Sequence, residues 1–186
     1  MEFGNIIFKT NDEYFSSIRM QNDDSNSGED YIIKLYPIKL LNIKLKNEKK
    51  YAKFEFLKEY PYNYSYLYEL FNYTIKEFVI NSKVITGNDL NYDIVKKQFK
   101  RNIKLPKKII DKPTITIELA DNCIIVDKSN NEITYDYLKQ DYAVEIIIKL
   151  EGINFNKNKF NLKYLVNYIK INSHYCDTEK YRFSID

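Results

Sequence analysis

Between Tyr142 and Ile171 the apolar residues alternate, then change step at a glycine, and few folds tolerate that pattern. Tyr142, Val144, Ile146, Ile148 and Leu150 share one face, opposite Glu145, Lys149 and Glu151. At Gly152 the phase flips, because the next apolar residues are Ile153 and Phe155. A period of two marks a half-buried strand, and a phase flip at glycine marks a bulge or a corner bend. After the polar turn Asn156 to Lys159, the returning strand puts Phe160, Leu162, Tyr164, Val166 and Tyr168 on one face, then shifts toward Ile169 and Ile171. Long, bent strands joined by short turns suit a small closed barrel better than a flat sheet.

A second hairpin lies upstream. Leu41, Ile43 and Leu45 alternate with Asn42, Lys44 and Lys46; after a turn over Asn47 to Lys50, Ala52, Phe54 and Phe56 alternate with Lys53 and Glu55. Pro37 predicts a break or an edge position in the first of these strands. From Ser65 to Asn81 the period becomes helical, with Leu67, Leu70, Phe71, Thr74, Ile75, Phe78 and Val79 on one stripe and Ser65 as N-cap. Gly87 punctuates, and a shorter helix is expected from Asp89 to about Phe99, with Leu90, Ile94, Val95 and Gln98 along one side. Pro106 and Pro113 enclose an irregular or extended connection to the next strand.

The remainder reads as strand. Thr114 to Leu119 alternates, Ala120-Asp121-Asn122 turns, Cys123 to Val126 forms a short strand, and Asp127 to Asn131 turns again. Residues 133 to 141 read as a loop or single helical turn. At the start of the chain a strand around Ile6-Ile7-Phe8 precedes "QNDDSNSGED", residues 21–30, expected to be a solvated loop. The organisation predicted is one domain over 1–186. Its N-terminal strand and acidic loop occupy 1–30, a hairpin plus helical basic segment 31–113, and the C-terminal strands 114–186. The fold class is mainly β with a helical insertion (α+β), a small closed β-barrel carrying one or two helices.

Several function classes lose support together. The four glycines stand at 4, 28, 87 and 152, so no glycine-rich phosphate loop can be drawn. His174 is the one histidine and reads as a surface tail residue; with only Cys123 and Cys176 there is neither a metal cluster nor a disulfide framework. No catalytic residue, metal or cofactor is predicted, and the chain is not expected to be an enzyme. The apolar stretches are far shorter than the roughly 20 residues that cross a bilayer, and the first residues resemble no secretory leader. A reducing intracellular location without membrane contact is the expectation.

Charge is distributed unevenly. The chain carries +3 overall, but residues 1–30 are net −5, residues 31–113 net +10 and residues 114–186 net −2. Such asymmetry points to an anionic partner. The densest stretch is "KKQFKRNIKLPKK", in which Lys96, Lys97, Lys100, Arg101, Lys104, Lys107 and Lys108 occur without an acid and Phe99 lies among them. As a helix, Lys96, Lys97, Lys100, Arg101 and Lys104 would fall on one side, a positive stripe suited to displacing counterions from a polyanion. A solvated lysine face is the plainer reading of the same residues. Lys157 and Lys159 stand at a hairpin tip between Phe155 and Phe160, and Tyr51 follows the similar tip at Asn47 to Lys50. Single strands of nucleic acid are held by basic grooves with aromatic faces that stack bases. Phe99, Phe155 and, more weakly, Tyr51 are the stacking candidates, because Phe160 and Tyr164 share a face with core residues. The 18 Tyr and 11 Phe are not evidence by themselves, since AT-rich codon usage favours Tyr, Phe, Ile, Lys and Asn.

The segment from Ile133 to Ile171, with Gly152-Ile153-Asn154-Phe155 and Phe160-Asn161-Leu162, resembles the C-terminal half of the OB-fold single-stranded-DNA-binding proteins of nucleocytoplasmic large DNA viruses. Those proteins are distantly similar to phage single-stranded-DNA-binding proteins. The similarity covers about 40 of the 186 residues. Asn154 and Asn161 stand where a larger aromatic and a glycine belong in that pattern, and "CDTEKYRFSID" lacks a dense acidic stretch. The resemblance implies an OB-like Greek-key β-barrel with one or two helices, a non-catalytic protein that coats single-stranded DNA in viral replication and self-associates along the strand, with no metal and no nucleotide. The partner expected is single-stranded DNA or RNA. The rival reading is a virion structural or host-interacting β-protein that meets another protein through a tyrosine-rich surface.

Overall fold

The computed structural model describes residues 6–12, 15–22, 25–105, 112–156 and 159–174. In chain order the strands are β1 (Ile6–Asp12), β2 (Phe15–Asn22), β3 (Ser25–Lys46) and β4 (Lys49–Glu55). Three helices follow, α1 (Pro61–Ile80), α2 (Ser82–Thr86) and α3 (Tyr92–Gln98). Then come β5 (Phe99–Lys100), β6 (Ile103–Lys104), β7 (Thr114–Val126), a single 3-10 turn (Tyr135–Tyr137), β8 (Tyr142–Asn156) and β9 (Lys159–His174).

Strands β3, β4, β7, β9 and β8 are hydrogen-bonded in a circuit that returns to β3. All of these pairings are antiparallel except β7 with β9, which is parallel. The β1–β2 hairpin adds to this ring through β2, which pairs with both β3 and β8. The inner face is apolar: Leu40, Phe54, Ile115, Val144, Ile146, Ile148, Leu150 and Val166 are all buried. Each such side chain contributes roughly 1.5–3 kcal/mol of burial free energy.

The step at Gly152 is a bulge. Leu150 pairs with Tyr164 and Gly152 with Lys163, so Glu151 is the extra residue, and Ile153 is again buried on the inner face. A second bulge accounts for the phase shift on β9. Ile148 pairs with Val166 and Ile147 with Tyr168, which leaves Asn167 unmatched and turns Ile169 inward. Pro37 falls in a third irregularity, between Leu35 and Ile38 of the β3–β8 pairing, where a missing N–H costs no ladder bond. There the buried Asn63 takes the place of a strand: the Tyr36 N–H donates to Asn63 Oδ1 at 3.1 Å, and Asn63 Nδ2 donates to the Tyr36 carbonyl at 3.1 Å.

Four expectations need correction. The first helix begins at Pro61 rather than at Ser65, because proline's fixed φ suits the first helical position and Pro61 occupies it. Residues 25–30 are strand, not loop: Met20 pairs with Glu29, and the Arg19 guanidinium forms an ion pair with Asp30. Ala120 to Asn122 do not end a strand; β7 continues through them, with its register against β9 shifting between Leu119 and Ile124. The short helix starts later and ends at Gln98, so the basic run is not a helical stripe. Asn91 caps α3 by accepting from the backbone N–H groups of Asp93 and Ile94, and Phe99 then turns extended. The predicted stripe of α1, by contrast, is its buried side. None of the described helices is long and apolar enough to cross a membrane.

Candidate nucleic-acid interface

Where the parallel strands β7 and β9 have not yet met, the chain from Phe99 to Lys104 fills the gap. Its first part pairs with β9, Phe99 with Phe160 and Lys100 with Asn161, and its second part pairs with β7, Ile103 with Ile115 and Lys104 with Thr114. Asn102 Nδ2 donates to the Leu162 carbonyl at 2.9 Å, pinning the turn between them. The basic run is thereby laid as extended chain beside the β8–β9 hairpin.

This segment forms one wall of an open groove of about 820 Å³. The floor is the outward face of β3, β4 and β7, where the register lines up Asn42 with Lys53 and Thr116, and Lys44 with Tyr51. Lys44, Lys46, Lys53, Lys100, Arg101 and Lys104 supply six cations to the lining, and Asn42, Asn102, Thr116 and Asn161 supply neutral polar groups. No carboxylate is among the described residues that line it.

What distinguishes the groove is the convergence of cations without an acid among the described residues beside them. Several lysines elsewhere are paired, Lys39 with Asp141 at 2.8 Å, Lys149 with Asp30 at 2.8 Å and Lys163 with Glu151 at 2.6 Å, while others, such as Lys97, Lys128 and Lys139, have no ion-pair partner among the described residues. At the rim Lys49 reaches Glu118 at 2.6 Å, which holds its ammonium above the usual lysine range. None of the six groove cations has an ion-pair partner among the described residues. Their charge is left for an external anion.

Tyr51 lines the groove, and its hydroxyl donates to Glu118 Oε2 at 3.3 Å. Partial burial and then the Glu118 charge push its phenol pKa upward. Lys100, Arg101 and Lys104 of the predicted run line the groove as well. Lys96 and Lys97 do not; they are exposed on α3, with Lys96 Nζ 5.4 Å from the Tyr92 ring centroid. Lys159 is exposed and lies two residues before Asn161, hence on the same face of β9. The Phe155 backbone pairs with Phe160; its side chain, and Lys107, Lys108 and Lys157, lie outside the described residues.

Phe99 corrects its expectation as a stacking surface. It is 6% exposed and packs against Phe71, Phe78 and Phe160, with centroids 6.0, 5.8 and 5.2 Å away. Polar neighbours in sequence do not expose a ring when alternation of an extended segment turns it inward. The groove cations that the basic run does not include, Lys44, Lys46 and Lys53, carried a sequence signal all the same: they occupy the polar phase of an amphipathic hairpin. Among the described residues no cluster of His, Cys, Asp and Glu could hold a metal ion.

No protein-family model matches this chain, and no curated protein matches it. Solved structures do. The single-stranded DNA-binding protein from bacteriophage Enc34 superposes with a TM-score of 0.55 over 98% of this chain and 96% of its own, at 8% identity. The same phage protein in complex with ssDNA gives 0.54 over 90% and 95%, at 9% identity. The gp2.5 single-stranded DNA-binding protein encoded by bacteriophage T7 gives 0.51 over 84% and 97%, at 8% identity. At these identities the likeness is one of fold, and the chain has the mostly β, helix-bearing fold of these phage single-stranded-DNA-binding proteins.

Proposed function

We propose that this protein is a non-catalytic binder of single-stranded DNA, built as an OB-like Greek-key barrel that holds the strand in the groove between β3–β4–β7 and the Phe99–Lys104 segment. The observation that carries the reading is six unpaired cations converging on one groove, in a fold shared with proteins named for single-stranded DNA binding. Lysine and arginine along such a groove follow the phosphates, and release of condensed counterions supplies the favourable free energy. The open, shallow lining suits a flexible strand.

Lys159, exposed on β9, extends the same electropositive path in this reading, and Lys107, Lys108 and Lys157 are assigned to DNA contact by their charge alone. Coating of DNA in viral replication, self-association along the strand and an intracellular site of action belong to it as well. The proximity of the basic run to β9 favours it over a protein-interaction role, which requires no such convergence.

Titration of the protein into labelled poly-dT, followed by fluorescence anisotropy at two salt concentrations with duplex DNA and RNA as competitors, tests the proposal. Micromolar or tighter binding that weakens with salt and prefers single strands is expected. Binding indifferent to salt, or none, overturns it and leaves the protein-interaction reading.

A further inference from the structure

The groove is rich in cations and poor in free aromatic faces. Phe99 is in the core, and Tyr51 is tied to Glu118. An exposed aromatic series stands just beyond it on the first two turns of α1. Tyr64 and Tyr68 stack with centroids 6.0 Å apart and 20° between planes, and Tyr64 is braced edge-on by the buried Phe56 at 5.9 Å. Tyr68 is the outer member, 36% exposed.

Arg101 joins the two regions. It lines the groove, and its guanidinium carbon lies 5.7 Å from the centre of the Tyr68 ring. No carboxylate among the described residues pairs with it. Beneath the pair is a small, mostly apolar pocket bounded by Leu67, Phe71, Ile115 and Tyr164, with Asn102 at its edge. The Asn102 side-chain oxygen is buried without a donor, although its Nδ2 is bonded to Leu162. That oxygen is sealed from solvent, so the face open to a ligand is the Tyr68 ring with the Arg101 guanidinium beside it.

We propose that Tyr68, braced by Tyr64 and flanked by Arg101, is the base-stacking platform of this protein, so that the strand leaves the basic groove over Arg101 and lays a base against α1. The inference rests on the single-strand reading above and names the part of the ligand this surface takes: the base, not the phosphate. Arg101 serves both, because a planar guanidinium can pair with a phosphate on one side and stack on the other. The braced pair of rings offers a rigid face at little conformational cost.

The test compares an oligo-dT with an abasic oligonucleotide of equal length, binding to the wild type and to Tyr68→Ala, Tyr68→Phe and Lys44→Ala. The wild type is expected to prefer oligo-dT, and Tyr68→Ala to lose about 5- to 150-fold in affinity for it. The same variant should bind the abasic strand as the wild type does, Tyr68→Phe should keep the preference, and Lys44→Ala should weaken both strands alike. If Tyr68→Ala, folded by circular dichroism, retains the full preference for oligo-dT, the platform is elsewhere while the single-strand reading stands. If the wild type binds neither strand in a salt-sensitive way, the single-strand reading and this inference both fall.

Discussion

Phe99 and Phe160 lie stacked, ring centroids 5.2 Å apart and planes inclined by 26°, on backbones paired in parallel register. This contact draws the chain out of α3 and onto the β8–β9 hairpin. It is also what places Lys100 and Arg101, the next two residues, at the groove. An aromatic residue in the middle of a basic run therefore acts as the anchor that positions the cations around it.

Removing that anchor is expected to cost stability first. Phe99→Ala leaves a large cavity among Phe71, Phe78 and Phe160 and should destabilise the fold by about 3–5 kcal/mol, read from urea denaturation. A variant as stable as the wild type with a selective loss of DNA binding would instead return Phe99 to the surface.

The groove charges should be legible in the salt dependence. Each phosphate contact in a single strand contributes about 0.7 to the slope of log affinity against log salt. Lys44→Ala, Lys53→Ala and Lys104→Ala together should lower the slope by about 2 and weaken binding at low salt, measured by anisotropy. Lys96→Ala with Lys97→Ala, on the exposed side of α3, should leave the slope nearly unchanged.

Asn63 tethers the first turn of α1 to the β3 irregularity through both Tyr36 backbone groups. Asn63→Ala strands that donor and acceptor and should destabilise the protein by about 2 kcal/mol in equilibrium denaturation. The α1 tyrosines hang from this junction, so a fall in oligo-dT affinity should accompany the loss. An undiminished midpoint would show that water replaces the side chain.

The two-residue turn of the β3–β4 hairpin holds Asn47 at φ 50° and Glu48 at φ 64°. A two-residue turn with positive φ at both positions favours Asn followed by Gly. Glu48→Gly should therefore raise stability by about 1 kcal/mol, visible as an increase in Tm. A decrease would mean that the Glu48 side chain contributes more than its backbone costs.

Burial pushes the Cys123 thiol up to about 12 from its ordinary 9.0. The sign follows directly: the folded thiol stays protonated where an unfolded one has begun to ionise. With Cys176→Ser removing the other thiol, alkylation by iodoacetamide at pH 8 should be on the order of a thousandfold slower in the folded than in the urea-unfolded protein. Equal rates would show that the partial burial of Cys123 does not hold back its ionisation.

The two hairpins, the step at Gly152, the irregularity at Pro37 and the buried stripe of α1 are all legible in the order of the amino acids. Each is a local pattern, since alternation, helical period and backbone preference are set by neighbours a few residues apart. The basic run is legible there too, because charge density requires no fold to be counted. What that run becomes depends on contacts made across the fold. Seven cations around one phenylalanine fit a helix as well as a strand in period, and the choice fell to a contact with Phe160, some sixty residues away in the chain. Pairing of β3, β4 and β7 put Lys44 and Lys53 in one groove with Lys100 and Lys104, and Arg101 came to lie against Tyr68. Strand pairing across the ring, which no local pattern encodes, assembles the groove from segments that are distant in sequence.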